Sequence, residues 1–390
     1  AARLMIMAIA LQTAVIVALI GRSLGWSWGS AFAIAPWAAI VIEQCLEPFN
    51  QSVGFAQVNT AMMALVMIDV AAPDSWKGRG VASGLAAAIK LTPAIAVLIF
   101  LLRRQWRSAI TMVATSLTVT LLSWIISPSE SARFFFDAMW DPQRAGDAYY
   151  TSNQNLKGFV ARALPENAWS ITWAIAVVLA LVAAIWLCLC IQAAATSVVT
   201  SRSASDAVAS GPLNAAAPAT GAAASAALAA PAGDAVETAA SDAVASADVT
   251  TPSAVATSPA SPVLPENLAT LLTAAVIMTL GLLVSPITWS HHWVWGLATV
   301  VVLIAVALRL KSLALMGTAL VQGVLLIMAP HWWFPYGQVN ELHWNVVEQL
   351  VGSSYTLAAI ASGVALAWAL PVQATARLGW NSLRRTDAPI

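Results

Sequence analysis

The sequence predicts an all-α fold, a polytopic bundle of membrane-spanning helices. Of the 390 residues, 59% are hydrophobic and only 9% are charged, whereas about 25% of the residues in a soluble domain are charged. Apolar runs of about 17 to 24 residues recur along the chain, and each is long enough to cross a hydrocarbon core of roughly 30 Å. The runs lack the strict alternation of barrel strands. Helices therefore remain, because they satisfy their own backbone groups in lipid.

About nine apolar runs are predicted to be membrane spans. They cover residues 4–20, 28–45, 57–72, 109–127, 169–192, 267–285, 292–310, 312–330 and 349–370. A further segment, residues 80–102, carries basic residues at both ends and KLTP in its middle. We expect a re-entrant hairpin there with its tip at Lys90 to Pro93, since proline breaks a helix and non-helical backbone inside a membrane must line a cavity.

The basic residues predict which connections face the cytoplasm. Lys and Arg concentrate in short cytoplasmic connections, and here they are Arg22, Lys77, Arg79, Arg103, Arg104, Arg107, Arg309, Lys311, Arg377, Arg384 and Arg385. Alternation then places residues 128–168, 285–292 and 331–348 outside, together with His291, His292, His331 and His343. It also places Ala1 outside, so we expect one more span and one more external loop before Ala1, and a bundle that lacks its first span.

Composition divides the chain into four parts. Residues 1–192 form a first membrane half with the external loop 128–168, residues 266–372 form a second half, and residues 373–390 form a cytoplasmic tail. Residues 193–265 are rich in Ala, Ser, Thr and Pro, with a single arginine, Arg202. That composition predicts a disordered cytoplasmic insertion.

Several function classes are excluded by composition. The formal net charge is zero, so no basic surface is available to neutralise the phosphates of a nucleic acid. Cys45, Cys188 and Cys190 lack a metal-ligand spacing. Adjacent histidines rarely chelate one ion, and no HExxH or DxD pattern accompanies them. We expect no metal and no other cofactor.

Lys90 is the most informative single residue. A lysine within more than twenty otherwise neutral residues is expensive in a membrane and marks a functional site by default. Its ammonium would be satisfied by an anion, and a phosphate held inside the membrane fits this requirement. The alternative is that the side chain extends to the membrane interface.

Polar amides lie near two predicted external ends. Gln57 and Asn59 either face a wet cavity or form hydrogen bonds between helices. Asn153 and Gln154 lie in the polar run TSNQNLKG, among carboxylates and aromatic residues, and we predict that they hold sugar hydroxyls. The phenylalanines of residues 134–136 are assigned to the aromatic belt at the membrane interface.

Residues 285–295, SPITWSHHWVW, place two histidines at the end of a span. An imidazole titrates near neutral pH and can donate a proton or hydrogen bond to an anionic leaving group. His291 and His292 are therefore candidate catalytic residues, and Trp289 offers a surface for stacking. The alternatives are a metal site or hydrated histidines in the interfacial belt.

Four stretches together resemble a known family. In order they are AQVNTA (56–61), GLAAAIKLTPAI (84–95), SNQNLKG (152–158) and SPITWSHHWVW. They are similar to motifs of actinobacterial glycosyltransferases of family 87, which belong to the GT-C membrane superfamily. The resemblance implies inverting transfer of mannose from a polyprenyl-phosphate donor to a cell-envelope glycolipid or lipoglycan, on the extracytoplasmic side. Lys90 would meet the donor phosphate, and His292 or His291 would stabilise it as it leaves.

Two alternatives and two departures accompany this resemblance. An arabinofuranosyltransferase using decaprenyl-phosphate arabinose would carry the same motifs, and a lipid or solute transporter would also place a lysine in a broken helix. The family pattern has glycine where this chain has Ala56. The family's catalytic aspartate, the general base, lies in the first external loop, which we expect upstream of Ala1. Asp137 or Asp141 is only a distant substitute.

Overall fold

The computed structural model describes residues 2–139, 146–209 and 264–370. Within these ranges every regular element is helical, and the one isolated β-bridge joins Asn153 to Trp289. The all-α prediction is confirmed for this part of the chain. Chain contacts divide the protein into two compact units, residues 1–200 with 262–390 and residues 201–261. Everything described below belongs to the first unit, apart from the end of one long helix.

Fifteen α-helices are present in the described ranges. They are α1 (Ala2–Ser23), α2 (Trp28–Cys45), α3 (Glu47–Gly54), α4 (Asn59–Ala71), α5 (Val81–Ile89), α6 (Val97–Leu102), α7 (Trp106–Ile126), α8 (Pro128–Arg133), α9 (Leu156–Ala163), α10 (Trp169–Ala209), α11 (Glu266–Val284), α12 (Trp295–Leu310), α13 (Leu313–Met328), α14 (Val346–Gly352) and α15 (Ser354–Ala369). Short 3₁₀ turns cover Thr92–Ala96, Glu166–Ala168, Ser290–His292, Pro330–Trp332 and Asn340–His343, and a π-turn covers Phe134–Ala138.

The first described helix, α1, starts at Ala2. Ala1, which was predicted to lie outside the membrane, is not among the described residues. The external position of Ala1, together with the span and the loop expected upstream of it, therefore stays a prediction.

Each predicted span coincides with a helix, although not every helix is long. Four stretches are long and apolar enough to cross a membrane: Arg3–Ser23, Trp106–Ile126, Glu166–Ala195 and Glu266–Val284. Two bent pairs, α2 with α3 and α14 with α15, raise this number to six if each pair is one span. Because α4, α12 and α13 have only 13 to 16 residues, the count of nine crossings stays a prediction.

Helix α11 lies at the centre of the bundle, and 83% of its most apolar stretch is buried. It is hydrophobic on all sides, which is the pattern of a buried helix. Close packing holds such helices together in lipid, where apolar burial alone supplies no driving force. Gly281 illustrates this, because a Cβ there would lie 2.9 Å from the Ile95 side chain. The outer helices instead expose large apolar residues such as Leu117 and Leu179.

The helices α4 and α5 run antiparallel, and this arrangement creates two distinct ends. At one end the first residue of α4, Asn59, meets Lys90, which follows α5. At the other end Asp69 accepts a hydrogen bond from the Ser83 backbone at 2.6 Å. With 13 residues in α4 and a rise of about 1.5 Å per residue, the two ends are roughly 20 Å apart. We call them the lysine end and the basic end.

Residues 80–102 fold back on themselves between these ends. Helix α5 stops at Ile89, and the chain continues as the 3₁₀ turn Thr92–Ala96 and then α6. Arg79, before the segment, and Arg103, after it, line one cavity at the basic end. The segment therefore has the shape of the predicted hairpin, with its tip at Lys90 to Pro93. Its depth in a membrane stays a prediction.

The predicted insertion, residues 193–265, overlaps the end of a helix. Helix α10 continues to Ala209, past residue 192, and the division of the chain into four parts stays a prediction. Alanines without an interrupting Pro or Gly in this stretch sustain the helix. Residues 210–263 lie outside the described residues, as does the predicted tail 373–390.

Candidate active site

Three predicted site residues meet at the lysine end. The Lys90 ammonium donates a hydrogen bond to Asn59 Oδ1 at 2.9 Å and lies 3.0 Å from His292 Nε2. They come from the hairpin tip, the start of α4 and the 3₁₀ turn Ser290–His292. An ammonium can only donate, so His292 Nε2 accepts and its proton is on Nδ1. We call these residues the Lys90 cluster.

The Lys90 cluster lines a small cavity of about 30 Å³, closed by Met62, Pro93, Met278 and Leu282. This volume holds about one water molecule. Both partners of Lys90 are neutral, because burial and the positive charge of Lys90 lower the pKa of His292 well below its ordinary value. The site therefore combines a half-buried cation with uncharged hydrogen-bonding groups, which favours an anion as its ligand.

His291 has a different environment from His292. Its backbone oxygen accepts hydrogen bonds from Ser52 at 3.1 Å and from the Asn59 amide at 3.0 Å. Its ring lies edge-on to Phe55, with the ring centres 5.5 Å apart. Burial, with a smaller contribution from Lys90, lowers the pKa of His291 to about 4. Of the two adjacent histidines, His292 is thus the one that contacts Lys90, while His291 fastens the turn through its backbone.

Glu47, the first residue of α3, was not among the predicted site residues. Its Oε1 accepts hydrogen bonds from Ser290 Oγ at 2.6 Å and from Trp332 Nε1 at 3.0 Å, and its Oε2 accepts one from Tyr355 Oη at 3.0 Å. His331 Nε2 lies 3.7 Å from Oε1. One carboxylate, only 9% exposed, therefore ties the histidine turn to two distant parts of the chain.

Glu47 could have been noticed by the argument that identified Lys90. It is an acidic residue between the apolar runs 28–45 and 57–72, where a charge is expensive unless it is partnered. A glutamate in the first turn of a helix also has an ordinary explanation, since it stabilises the helix dipole. Its partners Ser290, Trp332 and Tyr355 are more than 240 residues away, so only the fold reveals them.

The prediction that Asn153 and Gln154 hold a sugar is not supported by their positions. Both side chains are fully buried. Asn153 accepts from the Thr288 backbone at 2.8 Å and donates to the Ala148 carbonyl at 2.8 Å. Gln154 donates to the Gly352 carbonyl at 2.7 Å and accepts from the Tyr355 backbone at 3.2 Å. These amides join the segments around Ala148, Thr288 and Gly352 to each other, and protein groups occupy both ends of each amide.

The remaining predicted residues lie around the same segments. Gln57 is half-buried, and its backbone donates to Ser52 at 2.8 Å. It follows Ala56, which has a left-handed φ of +55°, a conformation that favours glycine.

The acidic candidates for the general base are not gathered at the Lys90 cluster. Asp137 is exposed in the π-turn, and Asp141 lies outside the described residues. The aspartate expected upstream of Ala1 stays a prediction, since Ala1 also lies outside the described residues.

Trp289 belongs to a group of four aromatic rings that we call the ring cluster. Tyr150 is at its centre, with ring-centre distances of 5.8 Å to Trp289, 6.3 Å to Trp332 and 6.2 Å to Tyr336. Tyr336 is 48% exposed. Trp289 directly precedes the histidine turn, and Trp332 shares the Glu47 carboxylate with Ser290. The ring cluster is therefore attached to the same turn as the Lys90 cluster.

Comparison with known proteins gives a consistent family. The profile of glycosyltransferase family 87 matches residues 2–213. A polyprenol-phosphate-mannose-dependent alpha-(1-2)-phosphatidylinositol mannoside mannosyltransferase of Mycolicibacterium smegmatis is 27% identical over 365 residues, which is 93% of this chain and 66% of the relative. The protein of the same description from Mycobacterium tuberculosis is 26% identical over 331 residues, which is 83% of this chain and 60% of that relative.

A third relative matches over a shorter range. It is a polyprenol-phosphate-mannose-dependent alpha-(1-2)-phosphatidylinositol pentamannoside mannosyltransferase of M. smegmatis, 32% identical over 132 residues, or 34% of this chain and 32% of the relative. The chain spans less than two thirds of the length of the curated relatives that it matches. No solved structure matches it significantly.

Proposed function

Because the chain belongs to glycosyltransferase family 87, we propose that it transfers mannose from polyprenyl-phosphate mannose to a mannose-bearing glycolipid on the extracytoplasmic side of the membrane. The observation that carries this proposal is the Lys90 cluster, in which a half-buried ammonium has, among the described residues, only the neutral hydrogen-bonding partners Asn59 and His292. A donor whose leaving group is a lipid-borne phosphate supplies the missing negative charge. The names of the relatives specify such a donor and a phosphatidylinositol mannoside acceptor for those proteins.

The proposed reaction places the developing charge beside Lys90. The acceptor hydroxyl oxygen forms a bond to the anomeric carbon while the bond from that carbon to the phosphate oxygen breaks. The electron pair leaves with the phosphate, whose negative charge increases. A preorganised donor at such a position contributes about 2.7–4 kcal/mol to the transition state. Lys90 supplies that donor.

His292 has two tasks in this proposal. Its unprotonated Nε2 orients the Lys90 ammonium, and its Nδ1–H is available as a hydrogen-bond donor to a phosphate oxygen. The cavity beside Lys90 and His292 is the space that the donor phosphate would enter. His291 supports the site through its backbone.

The acceptor hydroxyl also requires a base, and Glu47 is unsuited to that task. Three donors at 2.6–3.0 Å occupy its two oxygens, and hydrogen bonds to a carboxylate favour its charged form and weaken it as a proton acceptor. We assign Glu47 to positioning the histidine turn. The family's external aspartate, inferred from the resemblance and expected upstream of Ala1, remains the expected base.

The ring cluster is the proposed surface for the sugars. Aromatic faces are apolar, while the Tyr and Trp polar tips can form hydrogen bonds, and both properties match a pyranose with one face of C–H groups. Its attachment to the histidine turn through Trp289 and Glu47 brings bound sugar towards the Lys90 cluster. Asn153 and Gln154 then have no direct role in holding the substrate.

The proposed sidedness follows from the two ends of α4 and α5. Lys77, Arg103, Arg104 and Arg107 accumulate at the basic end, which is expected to face the cytoplasm. The lysine end then faces outward. A membrane-impermeant maleimide added to intact cells should label a cysteine at exposed Gln338, in a protein without Cys45, and should not label one at Trp76. The opposite labelling pattern would contradict this orientation.

The decisive experiment measures transfer by the purified full-length protein from radiolabelled polyprenyl-phosphate mannose to a phosphatidylinositol mannoside. Lys90→Gln and His292→Ala should each lower kcat by about a hundredfold to a thousandfold, while Lys311→Gln, which removes an exposed cation elsewhere, should leave kcat unchanged. Equal activity of all three variants would refute the assignment of the site.

The two alternatives have distinct outcomes in the same assay. A preference for decaprenyl-phosphate arabinose over the mannose donor would identify an arabinofuranosyltransferase. Movement of labelled donor across a proteoliposome membrane, without product formation, would identify a flippase. The mannose donor is favoured because it appears in the names of the relatives that cover 93% and 83% of this chain.

A further inference from the structure

A second polar cavity lies at the basic end, remote from the Lys90 cluster. It is formed by the connection between α4 and α5 and the connection between α6 and α7. Gly80 lets these connections approach, because it has φ of +102° and a Cβ there would collide with the Ser108 carbonyl oxygen. Arg107 Nη2 also donates to the Lys77 carbonyl at 3.3 Å. The two connections are therefore held together by specific contacts.

The cavity has a volume of about 270 Å³ and an excess of positive charge. Its lining includes Lys77, Arg104 and Arg107, together with the rings of Trp76 and Trp106. Within the described parts of the chain, no carboxylate lies within ion-pairing distance of these three cations. Like charges at short range repel each other, so an anion in the cavity would relieve the repulsion.

The neighbouring cations Arg79 and Arg103 show that the excess of positive charge is confined to this cavity. Arg79 is 2% exposed, donates to the Asp69 carbonyl at 2.9 Å and is paired with Asp74, which also lines the cavity. Arg103 is paired with Glu266 at 3.3 Å. These two arginines have carboxylate partners from the bundle. Lys77, Arg104 and Arg107 instead line the cavity, which a ligand can enter.

The surroundings of the cavity match a lipid rather than a free anion. Trp76 is 45% exposed and Trp106 is 60% exposed, and partly exposed tryptophans accumulate at the level of lipid headgroups. Along α7 and α5, directly after the cavity residues, Ile110 is 67% exposed and Val81 is 44% exposed. These apolar side chains offer a surface for acyl chains beside the cations.

We propose that this cavity, the headgroup pocket, binds the phosphate of an anionic phospholipid. Clusters of Lys and Arg next to membrane helices recognise anionic lipid headgroups, and basic pockets between helices do so with higher specificity. The pocket lies at the opposite end of the α4 and α5 pair from the Lys90 cluster, so the bound lipid is distinct from the proposed donor. This inference does not depend on the proposed transferase activity.

The test is retention of lipid by the full chain in native mass spectrometry, after purification from nanodiscs that contain equal amounts of phosphatidylglycerol and phosphatidylcholine. The protein should retain phosphatidylglycerol selectively. The double variant Lys77→Gln with Arg107→Gln should weaken this retention by about thirtyfold, since each cation near the membrane surface contributes roughly fivefold. The matched double variant Arg309→Gln with Lys311→Gln removes the same charge elsewhere and should retain the lipid.

Three further results decide the outcome. Equal loss in both double variants would mean a diffuse basic surface and would overturn the headgroup pocket. Release of the lipid by millimolar inorganic phosphate would mean a site for free anions, which also overturns it. The double variant Lys77→Arg with Arg107→Lys exchanges the two basic residues. It keeps the charge of the pocket and the number of basic residues in each connection unchanged. It should preserve retention, and loss of lipid in this variant would point to a packing defect and contradict the proposal.

Discussion

Two cations, the buried Arg79 and the half-buried Lys90, flank the same helix and differ in their partners. Arg79 precedes α5 and is paired with Asp74, with the carbonyls of Asp69 and Val70 also accepting from it. Lys90 follows α5, and within the described residues its ammonium has hydrogen bonds only to the neutral side chains of Asn59 and His292. A cation whose charge is neutralised by the protein is structural, whereas one left without an anion is available to a ligand. The contrast separates a stability role from a functional role within one short segment.

The largest expected effect concerns the structural cation. Arg79→Gln should lower the free energy of unfolding by about 2–4 kcal/mol, because the buried carbonyls of Asp69 and Val70 each lose a donor, at about 1–3 kcal/mol for each group. Thermal unfolding in detergent measures this change. Arg133→Gln, an exposed arginine on α8, serves as the control. A stable Arg79→Gln protein would show that the pair contributes little and would remove the contrast with Lys90.

The opposite sign is expected for the functional cation. Lys90→Met should raise the free energy of unfolding by about 1–3 kcal/mol, because a desolvated charge without an anion is replaced by an apolar chain of similar length. The same variant should abolish transfer. Unfolding curves and the radiolabel assay on one preparation measure both. If the variant lost stability, Lys90 would be a structural residue like Arg79.

Glu47 tests whether the histidine turn must be held rigidly. Glu47→Gln keeps the shape of the side chain but replaces one of its two acceptor oxygens by an amide NH₂ group. That group would face a donor where the carboxylate accepted a hydrogen bond, at a cost of about 1.5–3 kcal/mol. We expect kcat to fall by about tenfold to a hundredfold, with KM for the donor little changed. Glu130→Gln, on exposed α8, is the control. A change confined to KM would place Glu47 in substrate binding instead of positioning.

The pH dependence of stability should report the buried histidines. Burial lowers the pKa of His291 from 6.5 to about 4, and it lowers the pKa of His331 as well. Below about pH 6.5 the unfolded chain therefore binds more protons than the folded one, and stability falls as the pH drops from 6.5 towards 4. Thermal unfolding at pH 7.5 and pH 5 measures this. His291→Phe should flatten the slope, and a slope that stays unchanged would contradict the burial of a neutral imidazole.

The smallest expected effect lies beside Asn59, at the turn that starts α4. Ala56 has a left-handed φ of +55°, which an L-residue adopts at a cost of about 1 kcal/mol. Ala56→Gly should therefore raise stability by up to about 1 kcal/mol. Ala61→Gly, inside α4, should lower it by a similar amount. If both glycines were destabilising, the strain at Ala56 would be absent.

The helices were predictable from the sequence because long apolar runs have one stable arrangement in lipid. Lys90 and His292 could be singled out in the sequence as candidate site residues, because a titratable group near hydrocarbon is expensive and demands a reason, and their assignment stays a prediction. Glu47 is a similar case, but its partners are distant in the sequence. The sequence could not reveal the partners of Asn153 and Gln154, since the amides that bind a sugar and the amides that join two loops have the same composition. The end of α10 could not be placed because alanine-rich sequence is compatible with both helix and linker.

What the sequence determined by itself was the helical class, the basic and uncharged connections, and the family motifs, since hydropathy, charge and short patterns are local properties of the chain. The three-dimensional fold was needed to show which histidine contacts Lys90, which carboxylate holds the turn, and which arginines are neutralised. Several of these contacts join residues 163 to 308 positions apart, such as Arg103 with Glu266 and Glu47 with Tyr355. The free energy of a buried charge depends on its neighbours in space, and a linear pattern does not record them.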